Sequence, residues 1–518
     1  MRKIIFCSAV ILAGTCVGSA SAGSGRTSGK ASGLEEIQTI VVIYAENRSF
    51  DNLYGFFPGA NGLQHVSRAQ SVQRDRDGSV LKELPPVWGG LTARGVTPAI
   101  TEAQTQRLAN HPFAIDDSEG FNAPLNVPTR NLVHLFYQNQ MQINGGRNDK
   151  FVAFGDSGAL VMGYYKADAG KLPLWKIAER YTLADNFFMA AFGGSYLNHL
   201  WLACACTPKY PNANQGPAKN EIAVVDADGF SLKLADNSPI SAGDGPPKFI
   251  HDGALTPDFY AVNTMQPAYQ PSANRPAKDG DPRFADAANP TTLPPVQDQT
   301  IGDLLFAKGI SWAWYGGAWQ MALEGKNAFP VPVFQYHHQP FNYFATMAPG
   351  TAARDEHLKD GGLDGVEFIK TVDAGSLPAV TFYKPQGNLN EHPGYAEVLS
   401  GDRHIADVIA HLEKSPQWRH MLVIVTYDEN GGFWDHVAPP KGDRWGPGSR
   451  VPAIIISPFA KRHYVDHTQY DTTSILRFIT RRFDLPKLPG IVERDEALKA
   501  NGSKPMGDLT AALRLSQR

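Results

Sequence analysis

The sequence predicts an α/β protein: a largely parallel central sheet flanked by helices, with long irregular insertions. Three observations carry that expectation. Runs of β-branched and other apolar residues recur along the chain, continuous rather than alternating, which suits strands buried on both faces. Segments with helical spacing lie between those runs, the alternation of a layered α/β architecture. No self-similar period of the solenoid type is present to suggest a different organisation.

Taken in chain order, residues 1–22 read as a secretory signal. Arg2 and Lys3 form a short basic region, residues 4–17 are apolar, and Ala20-Ser21-Ala22 is a small-residue cleavage site. Residues 1–22 contain no Arg-Arg pair, so the general export route is expected. Residues 23–34, rich in Gly and Ser, are expected to be a flexible leader. One core domain is expected over 35–490, with a C-terminal tail at 491–518. Its clearest strands are placed at 40–44, 379–383, 421–427 and 451–456, and weaker ones at 181–188 and 310–315. Helices are placed at 172–180, 300–308, 404–414 and 472–483. Two polar, Pro-rich stretches, about 56–130 and 207–299, break the alternation and read as insertions between core elements.

With 518 residues the chain can bury a large core. Lys and Arg total 48 against 51 Asp and Glu, so there is no general electrostatic case for nucleic acid or an anionic membrane surface. No segment after the signal approaches membrane-spanning length. Cleavage after Ala22 leaves only Cys204 and Cys206. Two positions apart, they are expected to be small buried apolar residues rather than a disulfide.

The stretch VIVTYDENGGFWDH, 423–436, ends its strand in two adjacent acids, Asp428 and Glu429. VVIYAENRSFDN, 41–52, does nearly the same: Tyr44, Glu46 and Asn47 echo Tyr427, Glu429 and Asn430. Ligands of open α/β sheets bind beyond the carboxyl ends of strands. Two such ends would bring Glu46, Asn47, Asp428 and Glu429 to one rim, an oxygen-rich set suited to a divalent cation. Helix caps or solvated loop acids are the alternative. A third stretch, DNFFMAAFGGSYLNHLWL, turns at Gly193-Gly194 and opens a helical pattern at Ser195, where free N–H groups favour a phosphate oxygen. Asn198 and His199 fall on the same helical face. Ser195 could equally be a plain N-cap; the segment lacks the second outer glycine of a Gly-x-Ser-x-Gly elbow. His134, His337, His338, His392 and His436 lie beside these segments or in similar loops, and imidazoles there can bind phosphate, move protons or hold metal.

Taken together, YAENRSFDNLYG (44–55), NGGRNDKF (144–151), FGGSYLNHLWL (192–202), EHPGY (391–395) and TYDENGGFWDHV (426–437) resemble the bacterial phospholipase C / acid phosphatase family of the alkaline-phosphatase-like superfamily. The resemblance covers about 37–485. It implies a metal-dependent phosphoesterase domain of alkaline-phosphatase-like fold with a divalent metal ion of unspecified identity. Glu46, Asn47, Asp428 and Glu429 look like metal ligands. Ser195 looks like the nucleophile and a further ligand. Asn198 looks like a phosphate-oxygen donor. His134, His337, His338 and His392 look like the histidines around the phosphate and leaving group, with His338 or His392 as general acid. His199 and His436 receive no role. The chain ends soon after residue 490 and has no twin-arginine signal, which favours the shorter acid phosphatase branch. The expected function is therefore a secreted or periplasmic acid phosphatase working through a phosphoserine. A phospholipase C acting on phosphatidylcholine-type headgroups is the alternative, and a surface-binding protein with a structural metal is a third reading from another class.

Overall fold

The computed structural model describes residues 33–326 and 334–515. The signal sequence and residues 23–32 of the leader lie outside the described residues. At the centre is one sheet of eight strands. In chain order these are β1 (Thr39–Ala45), β2 (Thr182–Ala184), β3 (Trp312–Gly317), β4 (Leu358–Gly362), β5 (Val380–Lys384), β6 (Met421–Tyr427), β7 (Ala453–Ile456) and β8 (Tyr464–Asp466). They lie side by side as β4-β3-β5-β1-β6-β7-β2-β8. Every pairing is parallel except the two made by β7, so β7 alone runs against the rest.

β1, β5 and β6 are buried at every position. Successive strand residues point to opposite faces, so both faces must be covered. The helices do this in two packing groups. Pro173–Arg180 (α2) and Val366–Asp373 (α5) both pack on Val398–Lys414 (α6). Ser195–Cys204 (α3), Ile301–Ala307 (α4) and Thr473–Phe483 (α7) form the other group. Phe136–Ile143 (α1) and Pro489–Ala500 (α8) complete the longer helices. Among the described residues no helix is long and apolar enough to cross a membrane.

Several local expectations change. The 181–188 run splits: Thr182–Ala184 joins the main sheet, and Phe187–Phe188 pairs with Tyr470–Asp471. The run at 451–456 is reversed because no helix crosses back over the sheet between Tyr427 and Ala453. A connection that stays at one end of a sheet returns the chain antiparallel. Cys204 and Cys206 are disulfide-bonded, contrary to expectation. Ala205 between them closes α3 in a left-handed conformation, φ 49°, and that turn brings the two side chains together. Beyond 490 the chain is not an open tail: α8 packs back, and Arg494 is wholly buried. Its guanidinium donates to Asp471 and to the Ala190 carbonyl, each at 2.8 Å, and lies over Trp201.

Candidate active site

Register builds the site. β1 pairs with β6 so that Ala45 lies opposite Tyr427, and the next residues out are Glu46 and Asp428. On the other side β1 pairs with β5, which ends in Lys384. Three neighbouring strands thus deliver an ammonium, a carboxylate and a pair of carboxylates to one edge. None of these side chains is exposed.

The turn after β1 is tight. Asn47 takes a left-handed conformation, φ 58°, and its backbone N–H donates to Asp428 Oδ1 at 3.0 Å. Gly431, with φ 61°, passes so close that a Cβ there would lie 2.3 Å from the Asn47 carbonyl oxygen. Only glycine allows that approach. On the third side, Gly193 has φ 89°, and a Cβ would meet the Phe136 backbone at 2.5 Å. The turn it permits sets Ser195 at the first position of α3.

Ser195 Oγ sits among the acids. It lies 3.4 Å from Glu46 Oε2, 3.3 Å from Asn47 Oδ1 and 3.5 Å from Glu429 Oε1. The five residues expected to hold a cation therefore converge. Their chemistry fits one. Burial, then the charge of Glu46, pushes the Asp428 carboxyl up to about 7. Burial and the charge of Asp428 raise Glu429 well above the carboxylate range. A divalent cation is a partner that would let both ionise. Asp428 Oδ2 and His199 Nε2 have no hydrogen-bond partner among the described residues. The ligand atoms of Glu46, His199 and Asp428 all lie within 4.8 Å of one another.

Glu46 differs from its neighbours. Burial opposes its charge, but Lys384 and His338 outweigh that and hold it well below the usual range. Lys384 Nζ is 2.5 Å and His338 Nε2 2.6 Å from Glu46 Oε1, close charge contacts without the alignment of hydrogen bonds.

A cleft of about 170 Å³ opens over Ser195, and His134, His337, His392 and Tyr395 are among its walls. Burial lowers the pKa of all three histidines, that of His392 to about 3, where Glu46 opposes the shift and His134 adds to it. His134 Nδ1 lies 2.6 Å from the Leu132 carbonyl, and His392 Nδ1 lies 2.6 Å from the Pro393 carbonyl. A carbonyl only accepts, so each Nδ1 carries the hydrogen and each Nε2 presents a lone pair. His392 stacks on Tyr395 at 4.4 Å. A larger groove of about 860 Å³ along α7 and α8 shares none of these residues.

Two expected donors lie elsewhere. Asn198 does not face the cleft. Its Oδ1 accepts from the Ala191 N–H at 2.9 Å, and its amide donates to the carbonyls of Ala191 at 3.1 Å and Gly194 at 3.2 Å. Its polar atoms are committed to the loop that sets Ser195. His338 is sealed behind Glu46, stacked on His199 at 5.4 Å, and does not line the cleft.

A family model described as the phosphoesterase family matches residues 37–486. The chain belongs to the phosphoesterase family. It is 24% identical over 515 residues to a non-hemolytic phospholipase C of Pseudomonas aeruginosa, covering 92% of this chain and 57% of that protein. It is also 24% identical over 494 residues to phospholipase C B of Mycobacterium tuberculosis, covering 88% of this chain and 74% of the relative. The chain thus spans little more than half the length of the first of these relatives. Among solved structures, a protein in the alkaline phosphatase superfamily from Vibrio parahaemolyticus aligns with a TM-score of 0.31 and 11% identity, over 70% of this chain and 67% of that one.

Three residues of this candidate site escaped sequence reasoning. Lys384 ends a strand as the acids do, and that position was its only signal. His199 had a motif but no partner until Asp428 came within 3.7 Å of its ring. Arg48, inside ENRSFD, donates from Nε at 3.1 Å and Nη2 at 2.7 Å to the Glu391 carbonyl, tying the first motif to the loop of His392. His436 joins a separate cluster. Its Nδ1 is 2.7 Å from Asp51 Oδ2, and the Arg450 guanidinium already supplies that cluster's positive charge.

Proposed function

We propose that the protein is an exported phosphoester hydrolase that works through a phosphoserine at Ser195, with phosphomonoesters as its preferred substrates. The observation that supports this reading is the seat of Ser195 Oγ: at a helix N-terminus, within 3.5 Å of three side-chain oxygens, under a small cleft walled by imidazoles. A divalent cation held by Glu46, Asn47, Asp428, Glu429 and the Ser195 hydroxyl would lower the pKa of that hydroxyl and offset phosphate charge.

The chain's own groups do the rest. Ser195 Oγ attacks phosphorus, and its proton passes to Glu429, the more basic of the two carboxylates it faces. The bond to the leaving oxygen breaks, and that oxygen needs a proton. His392 is the better placed of the two expected general acids, because it lines the cleft and His338 does not. In the substrate-free site His392 is neutral with its Nε2 lone pair exposed. An incoming phosphate dianion favours the imidazolium, so on substrate binding His392 Nε2 takes up from solvent the proton that the leaving group then receives. Water then attacks the phosphoserine and gives its proton back to the imidazole. Inorganic phosphate departs, and the carboxylate returns the proton to Ser195.

The second reading, a phospholipase C cleaving a phosphodiester, is favoured by the names of the curated relatives. A diester places a substituent on both sides of phosphorus. The small cleft supports the monoester reading over this one. Parallel turnover of p-nitrophenyl phosphate and p-nitrophenylphosphorylcholine separates the two. Ser195→Ala tests what they share: kcat should fall by at least about a thousandfold on either substrate, and no phosphorylated peptide containing residue 195 should be trapped on acid quenching. Near-full activity in that variant would end both.

A further inference from the structure

Lys384 ends β5 with its ammonium wholly out of solvent. Charged lysines persist in such places only when paired. Its partner is a single carboxylate oxygen, Glu46 Oε1 at 2.5 Å, and the ammonium also rests 5.3 Å from the centre of the Tyr44 ring. His338 Nε2 meets the same oxygen at 2.6 Å. The other oxygen has different company: Glu46 Oε2 is 3.4 Å from Ser195 Oγ and 3.8 Å from His392 Nε2. Glu46 therefore has one oxygen facing structure and one facing chemistry. Its last torsion is soft and broadly two-fold, so nothing in the side chain itself keeps that division.

We infer that Lys384 is a positioning residue that anchors Glu46 Oε1, so that Oε2 stays turned toward Ser195 and the divalent cation the acidic cluster suits. The inference rests on the phosphoester hydrolase reading. It has two consequences of opposite sign. An ammonium beside the cluster repels a divalent cation, so removing it does not weaken cation binding. Removing it also lets the carboxylate turn, so the reaction slows. A lysine with a purely structural role would give neither split: loss of stability would lower cation affinity and turnover together.

The test uses the full-length exported protein, stripped of metal and titrated with MnCl2 by calorimetry, with p-nitrophenyl phosphate kinetics at saturating Mn2+. Lys384→Met should lower kcat by about thirtyfold or more, with KM within about threefold and the Mn2+ dissociation constant unchanged or tighter. Lys384→Gln, which keeps a polar N–H group beside Oε1 but removes the charge, should fall between Met and wild type and serves if the Met variant does not fold. A crystal structure of whichever variant is recovered should show the Glu46 carboxylate rotated away from Ser195. The inference is overturned if kcat stays within about threefold of wild type, or if Mn2+ affinity falls in step with kcat and thermal stability. A wild-type protein that turned over no phosphoester would sink the hydrolase reading alone, because the titration and the crystal structure would still decide Lys384.

Discussion

Arg450→Met removes a guanidinium that holds together three of the sequence motifs. Arg450 is fully buried. Its Nε donates to Asp435 Oδ1 and Oδ2 at 3.0 and 3.2 Å, and its Nη2 donates to Asp51 Oδ1 at 2.9 Å. Its Nη1 donates to the carbonyls of Asn61 and Asp185 at 2.7 and 2.8 Å. Methionine fills most of the volume but leaves two carboxylates facing each other in the interior. Breaking one partner of such a cluster costs about 3–5 kcal/mol. Part of that cost depends on pH. Burial raises Asp435 from its ordinary 3.8 to about 6 even with Arg450 opposing it. A carboxyl raised on folding binds its proton more tightly in the native state, so native stability falls as pH rises from 3.8 to 6 and then levels. Without Arg450 the folded pKa rises further, and the decline continues to higher pH.

The bound on that extra decline is about 1.4 kcal/mol for each pH unit above 6, hence about 3 kcal/mol by pH 8 and almost nothing at pH 5. Urea unfolding of wild type and variant at pH 5 and pH 8 measures it. The destabilisation should be distinctly larger at pH 8. Equal penalties at both pH values, or a total under about 1 kcal/mol, would refute the account of a buried acid pair neutralised by Arg450.

Asn198→Ala should lower stability by about 1–3 kcal/mol and kcat by about ten- to a hundredfold, because it frees the loop that sets Ser195; denaturation and steady-state kinetics check both. Arg494→Met should destabilise by about 3–5 kcal/mol in thermal or urea unfolding, since Asp443 and Asp471 lose their buried partner. Truncation after residue 490 should therefore give a protein that does not fold. Chelation should lower the melting temperature of metal-loaded protein, and re-addition at a hundredfold excess over the dissociation constant should restore about 2.7 kcal/mol. A melting temperature indifferent to chelator would contradict the cation role of the acids.

The strands were legible because burial on both faces leaves an unbroken apolar run, and β1, β5 and β6 fall within a residue of their expected bounds. The direction of β7 was not, because a run of isoleucines has the same composition in either direction. The convergence of the acids and Ser195 was legible from their places at strand and helix ends. The task of Asn198 was not: its sequence offset from Ser195 fixes a helical face, but whether an amide points at a ligand or back at its own loop is decided by how Gly193 turns the chain. The disulfide likewise depends on the left-handed Ala205, which two residues of spacing do not reveal.

Lys384 shows what a linear reading must miss. In sequence it is 338 positions from Glu46 and 44 from Asp428. In the sheet, β5, β1 and β6 are consecutive neighbours, and their ends read ammonium, carboxylate, carboxylate pair. The ammonium sits on the outer side of the series. It neutralises the first carboxylate and leaves the next two with raised pKa values, facing Ser195. Had it stood between β1 and β6 it would have offered its charge to both sides and removed the reason to expect a metal there. The order of three parallel strands thus decides where positive charge is still wanted, and that place is the one the serine hydroxyl occupies.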